Sequence, residues 1–425
     1  MKILIKNATV VTMEEQNKVI PHGNVYIQDK YIVKVTSDLD PEFVADKVID
    51  AKGNVLMPGL INCHTHIAMT MLRNHADDVN LEDWLFNNIF PIESKMTPKD
   101  VYYGAKLGML EMISSGTTTF LDMYFYEDQV ARAASEVNIR AYLGIGITKD
   151  SLQRNLKETK ELYEQYKDND LIQAVVAPHS VYTNDESDLV ACGNLHKELQ
   201  NLHTIHLNES KAEVQNAIAK YGMNSLQEAY KTGNLTSQTV IGHGVHLTDQ
   251  DIELIKKVGC SIAHNPCSNL KLASGVLPAS KLLAEGINIC LGTDGAASNN
   301  NLDMFEEMKF ASLIQKGVYD NPINLPAWET LKMATVNGAK ALHMQDRLGK
   351  VKAGYLADLI LVDIHNINHT PSANVINSLV YSTNSKDVYT TIINGKIVYE
   401  DHQFKTANAN ELMSQVNAVY QELIK

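Results

Sequence analysis

At 425 residues, 44% hydrophobic and 20% charged, the chain has an ordinary globular balance and can bury a large core. Its formal net charge of −13 argues against a nucleic-acid partner, which wants a basic surface. Three features predict a soluble cytoplasmic protein: no apolar run long enough for a membrane, a start at Met1–Lys6 that enters a strand pattern without a signal peptide, and five scattered cysteines.

In chain order, Lys2–Val11 and Val25–Val35 read as short strands, with His22-Gly23-Asn24 and Asp29-Lys30 as turns. A different rhythm follows. Apolar runs recur at Leu56–Cys63, Thr117–Leu121, Ala141–Ile147, Ile172–Ala177, Thr204–Leu207, Val240–Gly242, Cys260–Ala263 and Ile287–Leu291. Amphipathic segments lie between them, including Pro98–Ile113, Ser151–Tyr166 and Thr248–Val258. Thr248 with Asp251 looks like a helix start, and Gly259 like its end. Eight strand–helix units, with no glycine-rich first turn, favour an α/β fold of the (β/α)8 TIM-like barrel type over a doubly wound sheet. Strand patterns return at Ala357–Val362 and Val388–Val398, the second containing the turn Asn394-Gly395-Lys396. A small β-sandwich formed from both chain ends is therefore expected, against two unrelated hairpins. Leu412, Val416, Val419 and Leu423 are spaced as on a packed helix. The expected units are 1–55 plus 350–405, a catalytic barrel over 56–349, and a C-terminal helix over 406–425.

Polar residues fall where the runs end: His64 and His66, Asp122, His179, His206 with Glu209, His243, His264, and Thr293-Asp294. In such a barrel these ends form one active-site rim. One histidine at a strand end usually packs and hydrogen-bonds; several around one rim point to chemistry. His64-Thr65-His66 places two imidazoles on one strand face, which is half a metal site. His206 adds a third imidazole and Asp294 a carboxylate, although Thr293-Asp294-Gly295 also reads as a turn. Zinc accepts this donor set and lowers the pKa of a water ligand toward about 7. Glu209 and His243 then look like proton carriers, with a helix-start glutamate and a fourth imidazole ligand as the plainer readings. Because His179 stands where a bridging carbamylated lysine would, one metal is expected rather than two.

At this point the chain resembles the amidohydrolase superfamily, through Pro58-Gly59-Leu60-Ile61-Asn62-Cys63-His64-Thr65-His66, the order of His206, His243 and Asp294, and the end motifs Gly354–Asp358 and Ile393–Lys396. Within it, the sequence is most similar to the 5′-methylthioadenosine/S-adenosylhomocysteine deaminases. Asp83-Trp84-Leu85, Pro91-Ile92-Glu93, Ala177–Ser180, His206–Ser210, His264–Leu272 and Gly292–Asn300 carry that likeness. The resemblance implies one divalent metal per chain on His64, His66, His206 and Asp294, zinc first and ferrous iron as the alternative. It implies a substrate site of Trp84, Glu93, His179, Glu209, Asp294 and Ser298, with Glu93 on the ribose hydroxyls, His179 at the purine and Glu209 at N1. Members that accept S-adenosylhomocysteine carry an arginine near the third strand end, where this chain aligns Ile145; Arg154 lies nearby in sequence.

The expected activity is hydrolytic deamination of a 6-aminopurine nucleoside to the inosine analogue and ammonia. Water attacks C6, Glu209 protonates N1, and Asp294, with His243 opposite, takes the water proton. The rivals are deamination of a free base (guanine, cytosine, an oxidised purine), hydrolysis of a triazine, a binuclear ring-opening amidase, and a non-catalytic barrel. The expected partner is a small nucleoside, with neither nucleic acid nor membrane, and a homo-oligomer is left open.

Overall fold

The computed structural model describes every residue except 17, 80 and 82. Eight parallel strands succeed one another in chain order: Leu60–Thr65, Thr117–Tyr124, Arg140–Ile147, Ile172–Pro178, His203–Leu207, Thr239–His243, Ser261–His264 and Asn288–Leu291. The first and last meet at their carboxyl ends. There the Asp294 N–H donates to the His64 carbonyl at 2.9 Å, and the Asn62 amide donates to Thr293 Oγ1 at 2.7 Å. The result is the expected eight-stranded barrel.

Alternation along the strands sorts side chains into two layers. Cys63, Leu121, Tyr142, Val175, Val240 and Cys290 meet inside the barrel. Phe120, Leu143 and Ile145 pack outward among residues of the helices Pro98–Ser114 and Glu127–Val137. The helix Asp249–Val258 starts and stops as its sequence predicts: Thr248 Oγ1 accepts the Asp251 N–H at 3.2 Å, and Gly259 closes it at φ 80°.

Both chain ends join one nine-stranded sheet. It is antiparallel except where Lys2–Val11 takes Lys47–Asp50 and Val55–Pro58 as parallel neighbours. Its inner face gathers Ile3, Ile5, Ile27, Leu56, Leu359 and Leu361 into a core of its own. The helix Ala409–Leu423 lays Leu412, Val416, Val419 and Leu423 into the same cluster as Val101 and Ala105 of the helix Pro98–Ser114. Among the described residues, no helix is long and apolar enough to cross a membrane.

The expected strand Leu56–Cys63 is corrected. Val55–Pro58 belongs to the end sheet, and the barrel begins at Leu60. The hydrogen bonds change sheets at Gly59, whose N–H donates to the Asp358 carbonyl while the Leu60 N–H donates to that of Gly116. A β-carbon at Gly59 would stand 2.2 Å from Thr118 Oγ1, so only glycine passes this crossing. A buried ion pair ties the two bodies together beside it. Arg140 Nε meets Asp358 Oδ2 at 2.9 Å and Nη2 meets Oδ1 at 3.2 Å, in the fork geometry that holds a carboxylate best.

Candidate active site

Four donors converge where the first, fifth and eighth strands end. His66 directs Nδ1 at the Met123 carbonyl, 2.6 Å away, and His206 directs Nδ1 at the His179 carbonyl, 2.7 Å away. Each carbonyl takes the ring N–H and leaves the Nε2 lone pair facing inward, the arrangement that orients metal-bound histidines. The two Nε2 atoms stand 3.2 Å apart. Asp294 Oδ1 is 3.2 Å from His66 Nε2 and 3.5 Å from His64 Nε2. A tetrahedral ion with metal–nitrogen bonds of about 2.0 Å spaces its donors about 3.3 Å apart. The residues fit zinc: two ring nitrogens face each other across 3.2 Å and the buried His64 Nε2 makes no hydrogen bond, as the donors of a shared cation would.

The surroundings are built for that closeness. A β-carbon on Gly242 would meet His64 Cε1 at 3.0 Å and His206 Cδ2 at 3.3 Å. Asp294 adopts the left-handed backbone at φ 60°, with Thr65 Oγ1 donating to its carbonyl. Ser268 Oγ, at 2.6 Å, and Ser298 Oγ, at 2.9 Å, both donate to Asp294 Oδ2, which leaves Oδ1 for the cluster. Desolvation lowers His64 to about 4 and keeps His206 well below its ordinary value. His66 goes the other way: against the desolvation of burial, the Asp294 carboxylate pushes it up to about 9. Burial would raise Asp294 itself, but His64 and His66 hold it well below the usual carboxylate range. Two imidazoles that resist protonation, and a third paired with a committed carboxylate, suit a cation.

A cavity of about 810 Å³, counting its open mouth, lies against this cluster. His66, His206 and Asp294 line its floor, and Trp84, Glu93, His179, Glu209 and His243 line its walls. Glu209 Oε2 is 3.7 Å from His243 Nε2, and Ser274 Oγ donates to Glu209 Oε1 at 3.2 Å. Burial raises the Glu209 carboxyl, as a proton donor at neutral pH requires. Desolvation drops His179 to about 3, so it stays neutral. Glu93 ends the short helix Phe90–Glu93, which follows the wide helical segment Asp83–Ile89 carrying Trp84. Its Oε1 accepts the Tyr124 hydroxyl at 2.5 Å, and burial raises its pKa.

Some expected residues sit elsewhere. Ser298 does not line the cavity; fully buried, its hydroxyl is held by Asp294 and Gly295. Asp122 lies behind the rim, where Oδ1 accepts the Ile67 N–H at 2.7 Å. Ile145 packs in the outer layer, so at the third strand the cavity meets Gly146 and Thr148 instead. Arg154 pairs with Asn155 and Glu158 on an exposed helix face. Tyr124, Ser268, Ser274 and Asn269, whose Oδ1 is 2.8 Å from His243 Nδ1, were not singled out by sequence. Parity alone would miss Tyr124: three residues past the inward Leu121 it alternates with the outward Phe120, yet at the strand's end it lines the cavity.

The amidohydrolase family profile matches residues 55–398. The chain is 42% identical over the full length of both proteins to a 5-methylthioadenosine/S-adenosylhomocysteine deaminase of Thermoanaerobacter pseudethanolicus. It is 41% identical to a 5′-deoxyadenosine deaminase of Methanosarcina barkeri, covering 99% of this chain and 98% of that one. Among solved structures, an adenosine deaminase from Xanthomonas campestris with bound zinc superposes with a TM-score of 0.96 at 32% identity, covering 99% of this chain and 98% of that one. The match covers the barrel and the terminal sheet along the whole length, and the chain belongs to the amidohydrolase family.

Proposed function

We propose that this protein is a zinc-dependent aminohydrolase that replaces the 6-amino group of a purine nucleoside by a carbonyl and releases ammonia. The observation that carries this is the spacing of the four donors, with a raised carboxyl and an imidazole 3.7 Å apart beside them on the same cavity. His64, His66, His206 and Asp294 would hold the ion. Bound there, zinc would supply a water molecule acidic enough to act as a nucleophile at neutral pH.

The chain's own groups do the rest. Glu209 holds a proton and delivers it to N1 as water adds at C6, removing the ring's aromatic resistance. Asp294 takes one proton from the attacking water. His243, whose Nδ1–H is held by the Asn269 amide oxygen, presents its Nε2 lone pair to accept a hydrogen bond from the attacking water. The C6–O bond forms and the C6–N bond breaks. Asp294 passes its proton to the departing amine, which leaves as ammonia, and N1 keeps the proton from Glu209. The remaining hydroxyl proton returns to Glu209 as the carbonyl forms. His179 contacts the purine edge, Trp84 covers the base, and Glu93 with Tyr124 accepts the ribose hydroxyls.

Among the described residues, no lysine or arginine lines the cavity. A buried substrate carboxylate would have no cation to meet, which favours adenosine, 5′-deoxyadenosine and 5′-methylthioadenosine over S-adenosylhomocysteine. All five cysteines are free and four are buried, which suits a reducing compartment such as the cytoplasm. The test is ammonia release and loss of adenine absorbance from zinc-loaded protein with adenosine, 5′-methylthioadenosine, S-adenosylhomocysteine and free adenine in parallel. The first two are expected to react well, and the last two at least about tenfold more slowly in kcat/KM. Inertness toward every nucleoside overturns the reading; equal rates for S-adenosylhomocysteine overturn the 5′ argument alone.

A further inference from the structure

After the fifth strand the chain must turn sharply, from the metal-cluster residue His206 to the helix Lys211–Tyr221, within four residues. The turn is left-handed at Asn208, φ 51°, and it points Glu209 into the cavity. Glu213, on the first turn of that helix, reaches back to it. Its Oε1 accepts the Asn208 N–H at 2.9 Å and its Oε2 accepts the Glu209 N–H at 2.7 Å.

This departs from the common helix start. In a capping box the third-position glutamate accepts the N–H of the cap residue itself. Ser210 is the cap and its Oγ accepts the Glu213 N–H at 3.1 Å, but the Glu213 carboxylate bypasses Ser210 for the two preceding amides. Both oxygens are engaged by consecutive N–H groups, so the carboxylate fixes the direction of the turn as well as its position. The Asn208 side chain holds the other side, donating to the His246 carbonyl at 3.0 Å and accepting the Leu226 N–H at 3.2 Å.

We propose that Glu213 is a positioning residue for the deamination, locking the left-handed turn that aims Glu209 at the substrate. The assignment rests on the reading of Glu209 as the acid. Buried amides leave the turn no water to replace a lost acceptor, so slack at Asn208 passes directly to the Glu209 side chain. A shift of about 1 Å in a reacting group is enough to cost large factors in rate. The loss falls on proton delivery, hence on kcat, because Glu93 and His179 bind the nucleoside from other elements.

A pH profile separates positioning from mere support. Glu209 faces His243 and Ser274, with Asp294, His66 and Tyr182 near, and Glu213 faces Ser225 and Tyr182. Removing the Glu213 charge and loosening the turn both ease ionisation of Glu209, so activity falls away at lower pH.

The experiment is steady-state kinetics with adenosine from about pH 5 to 9, on zinc-loaded parent, Glu213→Gln, Asn208→Ala and Glu209→Gln, each with zinc content and a melting curve. Glu213→Gln keeps the volume but only one acceptor oxygen, and Asn208→Ala strains the same turn while leaving Glu213 intact. Both are expected to lose about tenfold or more in kcat, with KM within about twofold, zinc content unchanged, and the high-pH limb moved down. Folded, zinc-loaded Glu213→Gln with parent kcat and an unmoved limb overturns the assignment. If it does not fold, Asn208→Ala decides by the same readouts; if neither folds, the turn serves the fold and the assignment is overturned. Parent-like kcat in Glu209→Gln would instead refute the acid itself.

Discussion

Glu93→Gln tests the substrate class more directly than any change at the metal cluster, because a free base has nothing for Glu93 to bind. The Glu93 carboxylate already accepts the Tyr124 hydroxyl at 2.5 Å, so the pair is set before substrate arrives. On the proposed reading, its remaining acceptor positions take the two ribose hydroxyls. A hydrogen bond to a charged acceptor contributes about 1.5–3 kcal/mol, against about 0.5–1.5 for a neutral one. Glutamine keeps one oxygen, replaces the other by a donor, and removes the charge. The loss is therefore about 2–4 kcal/mol, or about 30- to 700-fold in kcat/KM. The assay compares adenosine with 2′,3′-dideoxyadenosine on parent and variant. The penalty is expected on adenosine alone, since the dideoxy compound never makes the contact. Tyr124→Phe, which removes one neutral donor and leaves the carboxylate, should cost about 1 kcal/mol on adenosine and nothing on the dideoxy compound. Equal losses on both nucleosides, or none on either, refute the placement of the ribose at Glu93.

Gly242→Ala should weaken zinc binding about 10- to 100-fold by competition titration, because the new methyl presses on His64 and His206 while the donors themselves are untouched. Asp358→Ala leaves Arg140 buried without its partner and should destabilise the protein by about 3–5 kcal/mol, read as a lower denaturant midpoint with kcat little changed. Glu307 gives a pH test of stability. Burial pushes its carboxyl up to about 8 from 4.5, so the folded state holds the proton that the unfolded chain releases. Its contribution is favourable below the unfolded value and is lost as pH rises toward 8. Glu307→Gln, which cannot ionise, should therefore gain melting temperature relative to the parent as pH climbs through that window; a constant difference would contradict the burial argument.

The barrel was legible because its strands are short, apolar and closed by polar residues at one end, a pattern that needs only period and spacing. The residues His64, His66, His206 and Asp294 were legible as candidate donors for the same reason, since each sits on or just past a strand end, where the pattern marks the rim. What the pattern could not reach was anything set by a hydrogen bond across loops. Val55–Pro58 continues into Leu60–Thr65 without a break in hydrophobicity, and only the redirected N–H of Gly59 assigns the two pieces to different sheets. Ile145 stands at a strand end like the donors, yet an offset of one residue sends it outward and leaves Gly146 and Thr148 facing the cavity. Ser298 and Ser268 lie on turns whose direction no periodicity encodes, and both serve Asp294.

Glu213 belongs to the same class. On a helix wheel it reads as a first-turn acid favoured by the dipole, indistinguishable from many solvated ones. Its place in the chemistry comes from the left-handed Asn208, which rotates two amide protons toward the helix and away from the barrel. On the proposed reading, the strand supplies His206 to the metal cluster, and three residues later the chain presents Glu209, the group that moves a proton. A positive φ makes that change of direction within one residue, and the buried carboxylate keeps it from relaxing. Period places the ligands of such a site, whereas turns clamped by side chains place its acids, which is why substitutions in the clamps should alter rate before they alter metal content.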